Sequence, residues 1–270
     1  MHFGLIIIGD EILSGKREDK HLSKAIELLG KRGLSVSYAD YVGDEPTRIT
    51  AALAKAFASG DVVFSFGGIG ATPDDHTRSC AARALGLPLA LHPQAAALIR
   101  ERMQDVAREQ GLVYEPERED NMHRLQMGMF PTGAEIIPNP YNKIAGFTCR
   151  GAGEGAVHFV PGFPVMAWPM VEWVLETHYK SMFSSGSRME KSIIVIGAME
   201  ATLTPLMESI ESSFPVKVFS LPSVDHPQFG KHIELGVKGE PRDVDAAFGA
   251  MCVGLKGFHV DVGPIVVRSY

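Results

Sequence analysis

The apolar residues in the first part of the chain alternate between continuous runs and helical spacing. Residues 5–8 and 61–66 are β-rich apolar runs, which is typical of strands buried on both faces of a parallel sheet. Residues 22–29 and 49–57 carry apolar side chains at i, i+3, i+4 and i+7, a spacing that predicts amphipathic helices. Residues 34–42 predict a further strand between these helices. The predicted order is therefore βαβαβ.

Strands that alternate with single helices need crossover connections, so these elements predict a three-layer αβα domain with a mostly parallel sheet. Beyond them, residues 95–129 are predicted to be helical and residues 133–163 to form short strands and turns, before a helix that runs to about residue 179. We place this domain at residues 1–180. Ligands of such sheets bind at the carboxyl ends of the strands, so the loops at that edge are the candidates for chemistry.

A small polar segment, residues 181–187, predicts a linker. The pattern after it predicts a small α+β domain of βαββαβ order at residues 188–270. Its first helix is expected to have Thr204 as N-cap and Pro205 in its first turn. The predicted strands are residues 192–196, 216–221, 232–237 and 258–262, and the second helix carries apolar residues from Val244 to Leu255.

Composition limits the kinds of partner and the cellular location that we expect for the protein. The 270 residues are 45% hydrophobic and carry a net charge of −6, which argues against a nucleic-acid partner. No apolar run reaches the roughly 20 residues of a membrane span, and no signal segment is visible, so we expect a soluble cytoplasmic protein without a membrane partner. The three cysteines predict structural thiols. Apolar helix faces suggest a homo-oligomer, a dimer or trimer, although such faces more often belong to a core.

A glycine-rich segment between a predicted strand and a predicted helix carries the strongest chemical signal. Its sequence is Phe66-Gly67-Gly68-Ile69-Gly70-Ala71-Thr72-Pro73-Asp74-Asp75-His76-Thr77. Glycines allow tight turns and close approach to a ligand, and free N–H groups before a helix bind anions. The segment therefore predicts a phosphate site that needs no basic patch. The alternative is a plain turn in which Asp74 or Asp75 caps the helix.

Acidic residues follow the predicted strands at the same edge. They are Asp10, Asp44 and Asp75. Because carboxylates repel a phosphorylated ligand, we expect these three to bind a divalent cation, Mg²⁺, Mn²⁺ or Co²⁺, that bridges to phosphate oxygens. Each such residue alone is more often a solvated turn or cap residue, and their common edge is what favours a shared site. His76 receives no catalytic role, because the sequence offers it no fixed partner.

Several common catalytic patterns are missing from the sequence. The glycine-rich segment is neither a phosphate loop followed by Lys-Ser/Thr nor a GxGxxG fingerprint, which argues against a kinase or a dehydrogenase. The histidines show no paired zinc-ligand spacing, and no serine or cysteine lies in a nucleophile elbow. Chemistry without a covalent intermediate is therefore favoured.

The motifs resemble those of the MoaB/Mog molybdopterin-binding domain in the form found at the amino terminus of CinA proteins. The matching segments are Gly9-Asp10-Glu11-Ile12-Leu13-Ser14-Gly15, Val42-Gly43-Asp44, the glycine-rich segment, Pro131-Thr132-Gly133-Ala134, Asn139-Pro140, Gly146-Phe147 and Pro161-Gly162-Phe163-Pro164. They cover about residues 1–179, and the tail is similar, more weakly, to the small middle domain of CinA proteins. The amidohydrolase domain of that family has no counterpart in this sequence, so its deamidation activity is not expected.

The resemblance implies a small phosphorylated ligand, either molybdopterin or a nucleotide. For the CinA-like branch it implies metal-dependent cleavage of ADP-ribose at its pyrophosphate, with Asp44 and Asp75 as catalytic or metal-binding carboxylates. Asp75 is placed like the loop aspartate of molybdopterin adenylyltransferases. The resemblance implies ligand or phosphate contacts for Gly67, Gly68, Gly70, Thr72, Thr77 and Gly162.

Three functions are therefore open. The leading hypothesis is a metal-dependent pyrophosphohydrolase acting on ADP-ribose-like substrates. The alternatives are a molybdopterin adenylyltransferase-like enzyme and a noncatalytic pterin- or nucleotide-binding protein. Two departures bear on the choice, because residues 18–21 replace the Asp-x-Asn element of the family, and residues 141–143 replace its small residues after Asn139-Pro140.

Overall fold

The computed structural model of the protein describes residues 2–183 and 189–269. Within these ranges the helices and strands divide into two compact units, the first of which ends at Phe183. Each unit has a hydrophobic core of its own. The predicted linker at residues 181–187 lies in part outside the described residues.

Parallel strands dominate the first unit. Its described strands are β1 (Phe3–Ile8), β2 (Val36–Val42), β3 (Val62–Phe66), β4 (Leu89–Leu91), β5 (Met129–Pro131), β6 (Glu135–Ile137), β7 (Gly146–Arg150) and β8 (Ala156–Val160). Six of them form one sheet in the order β2-β1-β3-β8-β7-β6, and β4 pairs with β5 separately. The pairs β1–β2, β1–β3 and β3–β8 are parallel, whereas β7 is antiparallel to its two neighbours.

Helices cover both faces of this sheet. The described helices of the first unit are α1 (Asp10–Leu13), α2 (His21–Gly30), α3 (Pro46–Ser59), α4 (Thr77–Leu85), α5 (Pro93–Glu109), α6 (Glu119–Arg124) and α7 (Pro164–His178). Leu5 and Ile7 of β1 pack in one core with α2 and α7, while Ile6 and Ile8 pack in a second core with α3 and α4. The continuous apolar run of β1 is explained by this burial on both faces. The predicted three-layer αβα fold with a mostly parallel sheet is confirmed.

A buried hydrogen-bond network connects β7 and β8 to the residue that follows α7. The Thr148 hydroxyl lies 2.8 Å from His158 Nδ1, and the Tyr179 hydroxyl lies 2.7 Å from His158 Nε2. Burial lowers the pKa of His158 to about 3, because a charged imidazole would lose its hydration there. The ring is therefore neutral near pH 7 and satisfies two hydroxyls inside the sheet layer.

The second unit has the predicted βαββαβ order. Its described elements are β9 (Met189–Ile196), α8 (Glu200–Ser213), β10 (Lys217–His226), β11 (Gly230–Gly239), α9 (Pro241–Leu255) and β12 (Asp261–Ser269). The strands form an antiparallel sheet in the order β10-β11-β9-β12. No helix in the described part of either unit is long and apolar enough to cross a membrane.

The predicted start of α8 was wrong. The helix begins five residues earlier, and Met199 rather than Thr204 is its N-cap, so Pro205 lies inside the helix. The Thr204 hydroxyl donates to the Glu200 carbonyl at 3.1 Å instead of capping a helix start. Burial of Leu203, which is 0% exposed, favours the extra turn more than the proline disfavours it.

Candidate functional site

The main cleft of the first unit lies at the carboxyl edge of its parallel strands. The strand ends are aligned there, since Ile8 pairs with Val42 and Phe66 pairs with Val160. The cleft has a volume of about 490 Å³, which is within the range of small-molecule sites. It is lined by Ile8, Gly9, Glu11, Arg17, Asp44, Gly67, Gly68, Ile69, Gly70, Ala71, Thr72, Asp74, Asp75, Met127, Asn139, Asn142, Ile144, Ala145, Pro161, Gly162, Phe163 and Met166.

The glycine loop, residues 67–77, needs glycine for steric reasons. Gly67 and Gly68 have φ angles of 97° and 67°, in the region that L side chains rarely adopt. A Cβ on Gly67 would collide with the Ile8 carbonyl oxygen, and one on Gly68 would collide with the Thr77 hydroxyl. At Gly70 an added Cβ would lie 2.6 Å from Asp75 Oδ2. The loop backbone therefore packs directly on β1 and on the start of α4.

Asp75 holds the glycine loop together from within. Its Oδ1 accepts the Gly70 N–H at 2.8 Å, and its Oδ2 accepts the Thr72 N–H at 2.8 Å and the Thr72 hydroxyl at 2.5 Å. Hydrogen bonds to an ionised carboxylate are stronger than neutral ones. Neither Asp74 nor Asp75 caps α4, whose N-cap is His76 without a side-chain bond. Asp75 therefore stabilises the glycine loop and does not cap α4.

Thr77 at the end of the loop, together with Arg78 and His123 outside it, holds the carbonyl groups of the loop. The Thr77 hydroxyl donates to the Gly67 carbonyl at 3.1 Å, and the Arg78 guanidinium donates to the Ile69 carbonyl. His123 Nε2 lies 2.8 Å from the Ala71 carbonyl. Burial lowers the pKa of Arg78, which the nearby Asp75 charge partly opposes. The carbonyls of the loop are therefore turned toward protein donors.

Several N–H groups of the glycine loop have no acceptor among the described residues. In residues 2–183 and 189–269, the backbone N–H groups of Gly68, Ile69 and Ala71 donate to no protein atom. All three residues line the cleft. Successive free N–H groups in a loop before a helix form an anion-binding concavity. The loop is suited to phosphate oxygens.

Asp10 and Asp44 hold the ends of β1 and β2 together. The Asp10 N–H donates to Asp44 Oδ2 at 2.8 Å, and the Asp44 N–H donates to Asp10 Oδ1 at 3.2 Å. Burial raises the pKa of Asp44, and the charges of Asp10, Glu11 and Asp74 add to this rise, while the bond from the Asp10 N–H opposes it. Asp44 lines the cleft, whereas Asp10 does not. A carboxylate among other carboxylates favours a bound cation.

Arg17 brings positive charge to the part of the cleft that contains Glu11 and Asp44. Arg17 lines the cleft, and its Nη1 lies 3.5 Å from Glu11 Oε1. The Arg17 side chain is 58% exposed, so its position is not fixed by packing. A guanidinium at the cleft is suited to phosphate as well as to carboxylate.

A second loop, residues 139–145, forms another wall and is called the asparagine loop. Asn139 Nδ2 donates to Asn142 Oδ1 at 2.8 Å and to the Ile144 carbonyl at 2.9 Å. Lys143 has a φ of 64°, which is uncommon for a residue with a side chain. Its Nζ lies 2.6 Å from carboxylate oxygens of both Glu101 and Asp105 on α5. The loop is therefore fixed both by its own amides and by an ion pair to a neighbouring helix.

The turn before α7 completes the cleft and is held by a buried histidine. His21 Nε2 lies 3.1 Å from the Gly162 carbonyl, and the His21 ring stacks on Phe66 with centroids 4.3 Å apart. Burial lowers the pKa of His21, so the neutral ring donates to Gly162 near pH 7. His21 thereby links α2 to the end of β3 and to this turn.

The structure brings most of the predicted site residues to one place. Gly67, Gly68, Gly70, Thr72, Gly162, Asp44 and Asp75 line the cleft, and Thr77 supports the glycine loop from below. The set predicted to bind a metal, Asp10, Asp44 and Asp75, is not gathered around one point. Throughout the described residues there is no group of three or more His, Cys, Asp or Glu side chains placed to hold a metal ion.

Sequence analysis missed four residues that line or support the site. Arg17 lies in a loop where nothing in the sequence marks it as a ligand contact, and Phe163 belongs to a matched motif in which only Gly162 was predicted to contact the ligand. Arg78 belongs to a helix pattern, and its burial gives the first sign of its role. Glu11 stands beside Asp10 at the end of the first predicted strand, but only Asp10 of the two was assigned to the cation.

Comparison with known proteins matches chiefly the first unit. The family described as "Probable molybdopterin binding domain" matches residues 4–180. A CinA-like protein of Anaeromyxobacter dehalogenans (strain 2CP-C) is 35% identical over 176 residues, which are 65% of this chain and 40% of that protein. A protein of Pyrobaculum calidifontis is 30% identical over 233 residues, 85% of each chain.

Among solved structures, the protein CinA "with unknown function" from Thermoplasma acidophilum matches with a TM-score of 0.55 and 26% identity, over 65% of this chain and 98% of that one. The chain thus spans less than half the length of the CinA-like relative from Anaeromyxobacter. The family match covers the six-stranded sheet apart from Phe3, and all the residues that line the cleft. The chain therefore belongs to the molybdopterin-binding domain family and resembles its CinA-like members.

Proposed function

We propose that the cleft binds the phosphate groups of a nucleotide-like ligand and hydrolyses a phosphoanhydride bond, with ADP-ribose as the first substrate to test. The observation that carries this proposal is the set of free N–H groups at Gly68, Ile69 and Ala71, which line the same cleft as Asp44. Donors held in place before the ligand arrives stabilise negative charge on phosphate oxygens without reorganisation. The substrate class is the one implied by the resemblance of the sequence motifs to CinA proteins.

A divalent cation belongs to this proposal, and the donor set fits it in one particular way. Mg²⁺ is commonly held by one or two carboxylates together with phosphate oxygens, so a cluster of three protein ligands is not required. Asp44 is the residue we assign to the cation, with Glu11 or Asp74 nearby. When bound, the cation would neutralise charge on the nonbridging oxygens. Asp75 is assigned to the loop, because both of its oxygens already accept bonds there.

The chain itself supplies phosphate binding and a base. The glycine loop orients the pyrophosphate, and Arg17 adds positive charge at the cleft. Asp44 has a raised pKa, so its carboxylate accepts a proton from an attacking water more readily than an ordinary aspartate does. The hydroxide that results would attack phosphorus, and the bond to the bridging oxygen would break, which yields AMP and ribose 5-phosphate from ADP-ribose.

The test is product formation from ADP-ribose with Mg²⁺, Mn²⁺ or Co²⁺, and with a chelator, in wild type and Asp44→Asn. We expect metal-dependent release of AMP and a fall of more than about 100-fold in the variant. Asp40→Asn is the matched control, because Asp40 lies on β2 outside the cleft. Metal-dependent turnover that survives in Asp44→Asn would contradict the role of Asp44.

The same reaction should depend on pH in a defined direction. Protonation of Asp44 removes both the base and the cation ligand, so activity falls as the pH falls through its pKa. Because burial and neighbouring carboxylates raise that pKa when no cation is bound, cation binding and activity should begin to fall at a higher pH than for an exposed aspartate, and the acid limb of kcat/KM should be absent from any residual activity of Asp44→Asn. A limb at the same pH in both proteins would point to another group.

A second candidate function is binding of a pterin such as molybdopterin without hydrolysis. Binding without hydrolysis is favoured by the position of Asp75, one of the two predicted catalytic carboxylates. Its oxygens accept N–H groups of the glycine loop and are therefore not available for catalysis. The family description also names this ligand. Ligand binding that is unchanged by chelator, together with no release of AMP, would favour this candidate over the hydrolase.

A further inference from the structure

An exposed aromatic side chain lies in the cleft next to the proposed phosphate site. Phe163 lines the cleft and is 55% exposed. Single exposed apolar residues are common on protein surfaces, so exposure by itself indicates little. Its position is unusual because a bound ligand would cover the exposed ring.

The backbone under this ring is fixed. Phe163 lies between Pro164, the first residue of α7, and the Pro161-Gly162 pair. Its carbonyl accepts the Met166 N–H at 3.0 Å and the Ala167 N–H at 2.9 Å. Prolines restrict the backbone before any ligand binds, so covering the ring costs little additional ordering.

A cation lies over the same ring. The Arg17 guanidinium carbon is 5.9 Å from the centroid of the Phe163 ring. A planar ligand between the two groups would need about 7 Å, since each stacked layer takes at least about 3.5 Å. Because the Arg17 side chain is 58% exposed and has only Glu11 as an ion-pair partner within the described residues, a shift of about 1 Å by its flexible end is within reach.

The backbone that carries Phe163 passes close to the glycine loop. A Cβ on Gly162, the residue before Phe163, would be 3.5 Å from the Gly67 Cα. One ligand can therefore contact the loop with its phosphate groups and the Phe163 ring with a second group. Aromatic side chains and guanidinium planes both stack on the faces of nucleobases.

We propose that Phe163 and Arg17 form a platform for a planar heterocycle that the phosphorylated ligand carries. This inference rests on the proposed phosphate site and names the part of the ligand that determines selectivity. A purine and a pterin share the required chemistry, which is a flat aromatic ring joined through a short spacer to phosphate. Ligands that carry phosphate without such a ring should bind without help from Phe163.

The experiment is calorimetric titration of wild type, Phe163→Ala and Phe163→Tyr, with a chelator in place of Mg²⁺ so that the proposed hydrolysis does not consume the probes. The probes are ADP-ribose, AMP, neopterin monophosphate, and two ring-free compounds, inorganic pyrophosphate and ribose 5-phosphate. We expect Phe163→Ala to weaken at least one ring-bearing probe by about tenfold or more and to leave pyrophosphate unchanged. Phe163→Tyr should retain wild-type affinity, because the ring face is kept. The relative affinities of AMP and neopterin monophosphate for wild type identify which heterocycle fits.

A Phe163→Trp variant adds a readout that a purely structural residue would not change. Stacking on the introduced indole should alter its fluorescence when a ring-bearing probe is added, and ring-free probes should leave it unaltered. Wild type, which contains Trp168 and Trp173, gives the background signal that is subtracted. An indole signal that responds equally to both kinds of probe would count against stacking.

The outcomes separate the two proposals. If pyrophosphate binds but Phe163→Ala weakens ring-bearing and ring-free probes equally, or neither of them, the platform is overturned and the phosphate site stands. If wild type binds none of the probes, the phosphate site fails and the platform fails with it.

Discussion

The two loops that form walls of the cleft are stabilised by different kinds of contact. In the glycine loop Asp75 accepts the N–H groups of Gly70 and Thr72, and outside residues hold its carbonyl groups. The asparagine loop is held by its own amides and by the ion pairs of Lys143 with Glu101 and Asp105 on α5. The positive φ angles in the first loop belong to glycines, whereas the asparagine loop has one at a lysine.

This difference separates a preorganised part of the site from an adaptable one. A loop whose glycines pack on β1 and α4 cannot accept side chains without moving its N–H groups, so its sequence is constrained by phosphate geometry. A loop held by an exposed ion pair can exchange side chains at modest cost. Phosphate binding should therefore depend on the glycine loop, and ligand choice should depend more on the asparagine loop and on the turn at Phe163.

The largest expected effect is that of Gly68→Ala. The residue has a φ of 67°, and its new Cβ would collide with the Thr77 hydroxyl, so we expect the free energy of unfolding to fall by about 3 kcal/mol. Gly86→Ala is the matched control, with a φ of 66° and nothing within 4 Å of an added Cβ. It should cost only about 1 kcal/mol. Equal losses in urea unfolding would show that the contact with Thr77 is unimportant.

Asp75→Asn should have the next largest effect. The amide replaces one oxygen by a donor that faces the N–H groups of Gly70 or Thr72, so a bond and a charge are lost together. We expect the free energy of unfolding to fall by about 2 kcal/mol, and phosphate affinity to fall with it. Asp74→Asn is the neighbouring control and should leave stability unchanged, because Asp74 is exposed. Thermal unfolding and pyrophosphate titration measure both quantities.

The smallest expected effects concern Lys143. Lys143→Met removes the ion pairs with Glu101 and Asp105, and we expect the melting temperature to change by no more than about 2 °C. Lys143→Gly removes the same pairs but relieves a φ of 64°, so it should be at least as stable as Lys143→Met. If the Gly variant is clearly less stable than the Met variant, the φ of 64° is not a source of strain at residue 143. The ion pairs would then not be needed to explain why the lysine adopts this conformation.

Local sequence patterns were sufficient to predict most of the strands and helices. Continuous apolar runs predicted β1 and β3 because a strand covered by helices on both faces must be apolar on both faces. The βαββαβ order of the second unit followed from alternation of short runs and helical spacing. The start of α8 was missed because Thr204 and Pro205 are good capping residues, while the burial of Leu203 that extends the helix depends on the rest of the unit.

The sequence by itself determined which loops meet at the cleft, because the carboxyl ends of parallel strands share one edge and the glycines mark the loop that must turn tightly there. Only the tertiary structure decided what each acidic side chain does. Asp75 turns inward to the N–H groups of its own loop, Asp10 pairs with the backbone of Asp44, and Asp44 faces the cleft. The role of Asp75 depends on the direction of its side chain, and the roles of Asp10 and Asp44 depend also on partners 34 positions away. Neither is encoded in local spacing.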